Sequence, residues 1–196
     1  MEFEKFPKIP RLMREIIVTE KIDGTNTQVV VWDVREEPLP TEVPWIWSQG
    51  DLFVAAGSRT RWLTIANDNY GFARWVEAHA AELVTGLGHG RHYGEWWGQG
   101  IQRGYGLKEK RFSLFNTGHW SEARPNCCHV VPILYQGPFS QEAIAQCIQT
   151  LRVRGSYAAY PFDRPEGIVI FHTAANSMFK ITLEKDDQPK GVRNAV

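Results

Sequence analysis

Cysteine is scarce in this chain. Cys127, Cys128 and Cys147 are the only three, no paired scheme accommodates them, and adjacent cysteines bond each other only with strain. Cys127-Cys128-His129 has something of a metal site about it, but no Cys-x-x-Cys partner exists, so a zinc centre is not expected. Long apolar runs are missing too, and the start, MEFEKFPKIPRL, lacks the basic-then-apolar order of a signal peptide. The expectation is a cytoplasmic protein without a membrane partner. Neither sign of charge is in excess: 22 basic residues meet 22 acidic ones, for a formal net charge of zero. That argues against a general polyanion coat and leaves room for a local basic groove. No repeat or low-complexity tract is present, which excludes a solenoid or a linker array.

What is present suits one compact domain over residues 1–196, large enough for a real core. After a proline-punctuated lead-in, Phe6 to Arg11, strands are expected at Glu15 to Thr19, Thr27 to Val34 and Leu52 to Ala56. Phe72, Trp75, Val76, Ala80, Leu83 and Leu87 recur at helical spacing and predict a helix from about Asn69 to Leu87, with Gly88 as its stop. His79 shares that face as a packed or rim histidine. Further strands are expected at His92 to Trp97, Arg111 to Asn116 and around His129 to Gln136. Ser140 then caps a helix through Leu151, and strands at Gly167 to His172 and Ser177 to Leu183 close the pattern. Many strands with two clear helices predict an α+β fold, antiparallel β-sheets flanked by a few helices. A doubly wound parallel sheet would need a helix between nearly every strand pair.

The chemistry concentrates in the turn Glu20-Lys21-Ile22-Asp23-Gly24-Thr25-Asn26. Lys21 there could be a nucleophile, Asp23 and Asn26 could hold a hydrated cation, and Gly24 would let backbone approach a phosphate. The plainer reading is a hairpin turn whose Asp-Gly pair supplies positive φ. Other strand ends carry related groups. Arg59 follows a strand in a glycine-led turn suited to a phosphate or a ribose hydroxyl. Glu95 leads into Trp96-Trp97-Gly98-Gln99-Gly100. Phe112 and Phe115, three apart, cannot share a strand face, so one suits the core and the other a stacking platform. Glu166 precedes an apolar strand, and Lys180 lies within the last one. Singly, each has a plain reading as a solvated strand end, a core ring or an edge charge.

Their order along the chain is more specific. Glu-Lys-x-Asp-Gly-x-Asn, then Ser-Arg-Thr, Gly-Glu-Trp-Trp-Gly, Arg-Phe-x-x-Phe, Glu-Gly-Ile-Val and Phe-Lys-Ile resembles the covalent nucleotidyltransferase superfamily. Within it the closest look is to ATP-dependent RNA ligases of the RNA ligase 2 type, from about Lys8 to Lys190. The resemblance implies a nucleotidyltransferase domain in which Lys21 attacks the α-phosphorus of ATP to give lysyl-AMP and pyrophosphate. It implies that Glu20 lies beside the adenine, partly through its backbone, and that Ile22 also belongs to the nucleotide-binding turn. Arg59 would contact the nucleotide or a 3′-OH end, Glu95 the ribose hydroxyls, and Phe115 the base by stacking. Glu166 would serve the metal, Mg²⁺ or Mn²⁺, and the lysine; Lys180 would bind the α-phosphate. Asp23 and Asn26 would lie on the phosphate and hydrated-metal side. The partners implied are RNA or DNA ends bearing a 5′-phosphate and a 3′-OH.

Two departures stand out. The family's last motif usually has lysines two apart, whereas the second place here is Thr182; Lys185 or Lys190 are the nearby substitutes. The chain also ends about a dozen residues later, without the separate C-terminal domain that many ligases use to engage nucleic acid. It is therefore expected to be a minimal ligase, an adenylating module that works with a protein partner, or a truncated chain. In place of that domain, the basic segment Arg103, Lys108, Lys110 and Arg111, with Glu109 as its one acid, is the expected source of nucleic-acid contacts together with Arg59. A solvated charged loop is the plainer reading of that segment. The alternatives to a ligase are a capping-type guanylyltransferase, which needs GTP, and a nucleotide- or RNA-binding module without catalysis. A nicotinamide-dependent ligase is not expected, because about twenty residues precede Lys21.

Overall fold

A computed structural model describes residues 1–184. Along the chain the elements are β1 (Glu15–Lys21), β2 (Thr25–Asp33), β3 (Trp47–Gln49), β4 (Leu52–Ser58), β5 (Trp62–Leu63), α1 (Phe72–Ala78), α2 (Ala80–Leu87), β6 (Gly90–Gly98), β7 (Lys110–Leu114), β8 (Cys128–Val130), β9 (Ile133–Pro138), α3 (Gln141–Arg154), β10 (Gly167–His172) and β11 (Ser177–Thr182). They divide into two compact units, Met1–Lys21 with Pro132–Val196, and Ile22–Val131. The α+β character and the largely antiparallel sheets agree with the expectation from sequence; the β7–β8 pair is parallel.

In the first unit, four antiparallel strands lie in the order β11-β10-β1-β9. Strand alternation sends Ile16 and Val18 to one face, where they meet Ile168 and Ile170 and the inner side of α3, Cys147 and Leu151. The helix runs three residues past the predicted end. Ser140 Oγ accepts from Ala143 N–H at 3.1 Å, and Gly155 ends the helix at φ 86° and ψ −163°, a positive φ that favours glycine, with its N–H on Leu151 O.

The second unit is a seven-stranded sheet in the order β3-β4-β2-β6-β7-β8, with β5 paired to β4. Val29 and Val31 of β2, Val54 and Ala56 of β4, and Trp96 and Phe112 of β6 and β7 bury one face under α1 and α2. The predicted single helix is two, broken at His79. Its backbone leaves helical angles there, at φ −109° and ψ 10°; its Nδ1–H joins its own backbone N–H on the Trp75 carbonyl, at 2.8 and 3.1 Å, and the chain restarts as α2. The ring also lies 4.8 Å from Trp75, the packed position expected of it, and Gly88 ends α2 as read. The strand expected around His129 to Gln136 is likewise two, β8 in one sheet and β9 in the other, because Val131 and Pro132 part them.

The largest departure concerns β1 and β2. They do not pair, so the turn between them is not a hairpin. Gly24 is not at positive φ either. It is glycine because a Cβ would stand 2.5 Å from Trp96 O and 2.7 Å from Trp97 Cβ. The close approach it permits is to the backbone of β6.

Candidate active site

In the first unit, Lys21 ends β1 on the face opposite the α3 core. Its Nζ lies 2.5 Å from Glu166 Oε2, with the two side chains 22% and 18% exposed. Register explains the neighbourhood: Lys21 pairs Gly167, and Gly167 pairs Thr182, while Thr19 pairs Val169 and Val169 pairs Lys180. Directly opposed residues share a sheet face. Lys21, Lys180 and Thr182 therefore project from one side, with a glycine between the lysine and the threonine. Gly167, at φ 157°, admits no Cβ, which would stand 2.1 Å from Ile181 O. Lys180 is exposed, and Thr182 Oγ1 donates to Glu184 O at 2.9 Å. Lys185 and Lys190 lie outside the described residues.

Glu20 takes the other face. It is 1% exposed, and its carboxylate accepts from Ser156 Oγ–H at 2.6 Å, Tyr157 N–H at 2.7 Å and Ala158 N–H at 2.9 Å. Burial pushes its carboxyl above the usual range, and the three donors oppose that shift. Its backbone N–H donates to Pro132 O at 2.9 Å. The side chain is thus a fastening for the 156–158 loop. Any adenine contact from this residue would come from the backbone.

In the second unit, the remainder of the turn is held from two sides. Gly24 N–H donates to Glu95 Oε1 at 3.1 Å, so a proposed ribose ligand also anchors the turn. Asp23 N–H donates to Tyr105 Oη at 2.8 Å, and Arg103 Nε donates to Asp23 Oδ2 at 2.9 Å. Ile22 is buried. Asn26 pairs Glu95 across β2 and β6, on the face away from the helices. Tyr105 is 3% exposed and packs edge-on to Trp97, ring centroids 5.0 Å apart, which seats the glycine-rich 98–106 segment over that end of the face. Phe112 is fully buried, whereas Phe115, just past β7, is half-buried, the division the spacing predicted. Arg59 is exposed and lines an open depression of about 330 Å³ with Thr25, Ser58, Thr60, Arg61 and Asn69.

The basic segment divides. Arg103 is committed to Asp23, and Lys110 Nζ donates to Tyr70 O at 2.6 Å. Arg111 pairs Glu109 and lies over Trp97; Lys108 is exposed. Cys128 is in the core, its Sγ 3.9 Å from Cys127 Sγ, and among the described residues no three metal-binding side chains converge. Sequence reasoning missed Ser156 and Tyr105. Tyr105 carries a signal, a tyrosine between two glycines at positive φ; nothing in the spacing marks Ser156.

Oxygen donors suit Mg²⁺, which is commonly held by one or two carboxylates plus substrate phosphates and keeps several waters. Glu166 and Asp23 fit that donor chemistry within their own units.

Residues 14–182 match the family model described as RNA ligase. Solved structures of a Naegleria gruberi RNA ligase share the fold. An apo mutant superposes with a TM-score of 0.54 at 18% identity, covering 90% of this chain and 52% of that one. A lysine-to-alanine mutant with ATP and Mn gives 0.53 at 17%, covering 90% and 52%. A lysine-to-methionine mutant with AMP and Mn gives 0.54 at 18%, covering 91% and 53%. The chain thus spans about half the length of the ligases it matches. No curated protein sequence matches it.

Proposed function

For this chain, which belongs to the RNA ligase family, we propose ATP-dependent joining of polynucleotide ends through a lysyl-AMP intermediate on Lys21. The observation that supports it most is the Lys21–Glu166 pair at 2.5 Å, on the sheet face that also carries Lys180. An ammonium has no lone pair, so the pair must open and the amine lose its proton before Nζ attacks the α-phosphorus. The N–P bond forms as the bond to the bridging β-phosphate oxygen breaks, and pyrophosphate leaves. A 5′-phosphate oxygen of the polynucleotide then displaces the lysine, which regains its proton. Attack by a 3′-OH on that 5′-phosphate releases AMP and leaves a phosphodiester.

Lys180 is the cation for the α-phosphate, and Glu166, released from Lys21, is the carboxylate for Mg²⁺ or Mn²⁺. The ion would supply charge neutralisation at the phosphates. On the seven-stranded sheet, Glu95 accepts ribose hydroxyls and Phe115 stacks on a base, while Arg59 and Lys108 contact phosphates. RNA is the preferred polynucleotide on family grounds. Free cysteines suit a reducing, cytoplasmic setting. No helix of the described residues is long and apolar enough to cross a membrane.

The test is incubation with α-labelled ATP and Mg²⁺, then a denaturing gel. An acid-labile covalent adduct with ATP is expected. A label taken only from GTP points to capping chemistry, and no label from either overturns the proposal.

A further inference from the structure

One row of side chains crosses the seven-stranded sheet on the face away from its helices. Trp62 of β5 pairs Gly57 of β4, Gly57 pairs Gln28 of β2, and Gln28 pairs Tyr93 of β6. Opposed residues in an antiparallel ladder share a face, so Trp62, Gln28 and Tyr93 project together. The row continues to Phe115, whose N–H donates to Tyr93 O at 3.0 Å. Gly57 is its gap. A Cβ there would stand 2.8 Å from Gln28 Cγ, so the glutamine lies across the glycine, on the Trp62 side of its strand.

Arg91 completes the row from the adjacent rung. Its guanidinium carbon is 5.3 Å from the Trp62 ring centroid, and its NH1 donates to Gln28 Oε1 at 3.2 Å. The arginine is exposed and Tyr93 is 51% exposed. The sole carboxylate among the strand residues of this face is Glu95, one rung toward the opening turn. A tyrosine ring standing in water beside a guanidinium fixed on an indole is poorly explained by packing. An apolar partner would meet the charge of Arg91, and a generic polyanion would leave the rings unused. Rings that offer flat faces, a cation among them and an amide able to read base edges match unpaired nucleotides.

We propose that the row Trp62, Gln28, Arg91 and Tyr93 binds an unpaired stretch of RNA, with a base on Tyr93 and phosphate on Arg91. Adjacent strands are about 4.8 Å apart, so Tyr93 and Trp62, three strand intervals apart, are separated by roughly 14 Å, room for more than one nucleotide. Bases inside a duplex stack on each other and offer no face to Tyr93, so the row selects single strands. The inference rests on the ligase reading for the class of ligand alone. It deepens that reading by naming the strand state of the RNA.

The experiment is fluorescence anisotropy without ATP, using a short fluorescein-labelled single-stranded RNA and the same sequence as a blunt duplex. Tyr93→Ala combined with Arg91→Ala is expected to weaken single-strand binding about tenfold or more and to change duplex binding little. Tyr93→Phe alone, which keeps the ring, should bind as the unsubstituted chain does. Circular dichroism melts check that both variants fold. Unchanged single-strand affinity in the double variant overturns the inference, as does equal loss for duplex. Sedimentation showing that the unsubstituted chain self-associates while the double variant does not also overturns it, since the face would then be an interface between copies. Failure of the ligase reading shows separately, as absence of lysyl-AMP in the ATP-labelling experiment.

Discussion

The two sheets treat charge in opposite ways. The four-stranded sheet exposes a lysine against a carboxylate, Lys21 on Glu166, with Lys180 on the same face, while the neighbouring carboxylate Glu20 is sunk among apolar groups and satisfied by neutral donors. The seven-stranded sheet exposes rings and amides, and its carboxylates Glu95 and Asp23 hold backbone and guanidinium groups within the unit. An ion pair that must be broken suits a step in which the lysine changes charge. Groups already held in place suit recognition, where geometry should not change. Under the proposed function, covalent chemistry would fall to the first sheet and ligand selection to the second.

The sharpest way to break that assignment is at Lys21. Lys21→Arg keeps a cation for Glu166 but offers no nucleophilic amine, so the labelled adduct is expected to vanish while the melting temperature holds. A residual adduct on a gel would move the chemistry elsewhere. Within the second sheet, the two phenylalanines should separate. Phe112→Ala removes a fully buried ring and should cost about 3–5 kcal/mol in urea denaturation. Phe115→Ala should leave stability nearly unchanged and raise the ATP concentration needed for labelling by about tenfold, a stacking-sized effect. A reversed pattern would place Phe112 at the ligand. Smaller still is the effect of Lys108→Ala with Lys110→Ala. Each lost phosphate contact should lower the slope of log binding constant against log salt by about 0.7 to 0.9, read from RNA titrations at several salt concentrations. Because Lys110 already donates to Tyr70 O, most of that change is expected from Lys108.

The smallest expected effect concerns pH. The Glu20 carboxyl is raised above its ordinary value, so the folded state binds its proton more tightly than the unfolded chain does. Its contribution to stability is therefore fully present below the ordinary glutamate range and is lost as pH rises through the raised value. Glu20→Gln should flatten that part of the stability profile, measured by thermal melts from mildly acidic to neutral pH. An unaltered profile would mean that the carboxyl is not the group responsible.

Much of this was legible because strand alternation is local. Ile16, Val18 and Ile168, Ile170 announce a buried face, and Phe112 and Phe115 fall apart by parity alone. The Ser140 cap was readable for the same reason. What could not be read depends on partners distant in sequence. The Asp-Gly pair at 23 and 24 looks like a hairpin turn, yet Gly24 is fixed by the backbone of Trp96, more than seventy residues away. Arg103 looks like a free cation in a basic loop until Asp23 is beside it, eighty residues apart. His79 is one more case: helical spacing continues straight through it, while its backbone leaves helical angles and its side chain joins its own N–H on the Trp75 carbonyl.

The split between Glu20 and Lys21 has a further consequence, for the phase of β1. If β1 slid by one residue along its neighbours, every side chain would change sides. Lys21 would enter the layer under α3 with no carboxylate to receive it, and Glu20 would surrender three donors at once. A shift by two would restore sidedness but leave Ser156, Tyr157 and Ala158 without their acceptor. The buried carboxylate therefore works like a vernier mark on the strand, keeping the lysine beside it from being placed a residue too early or too late.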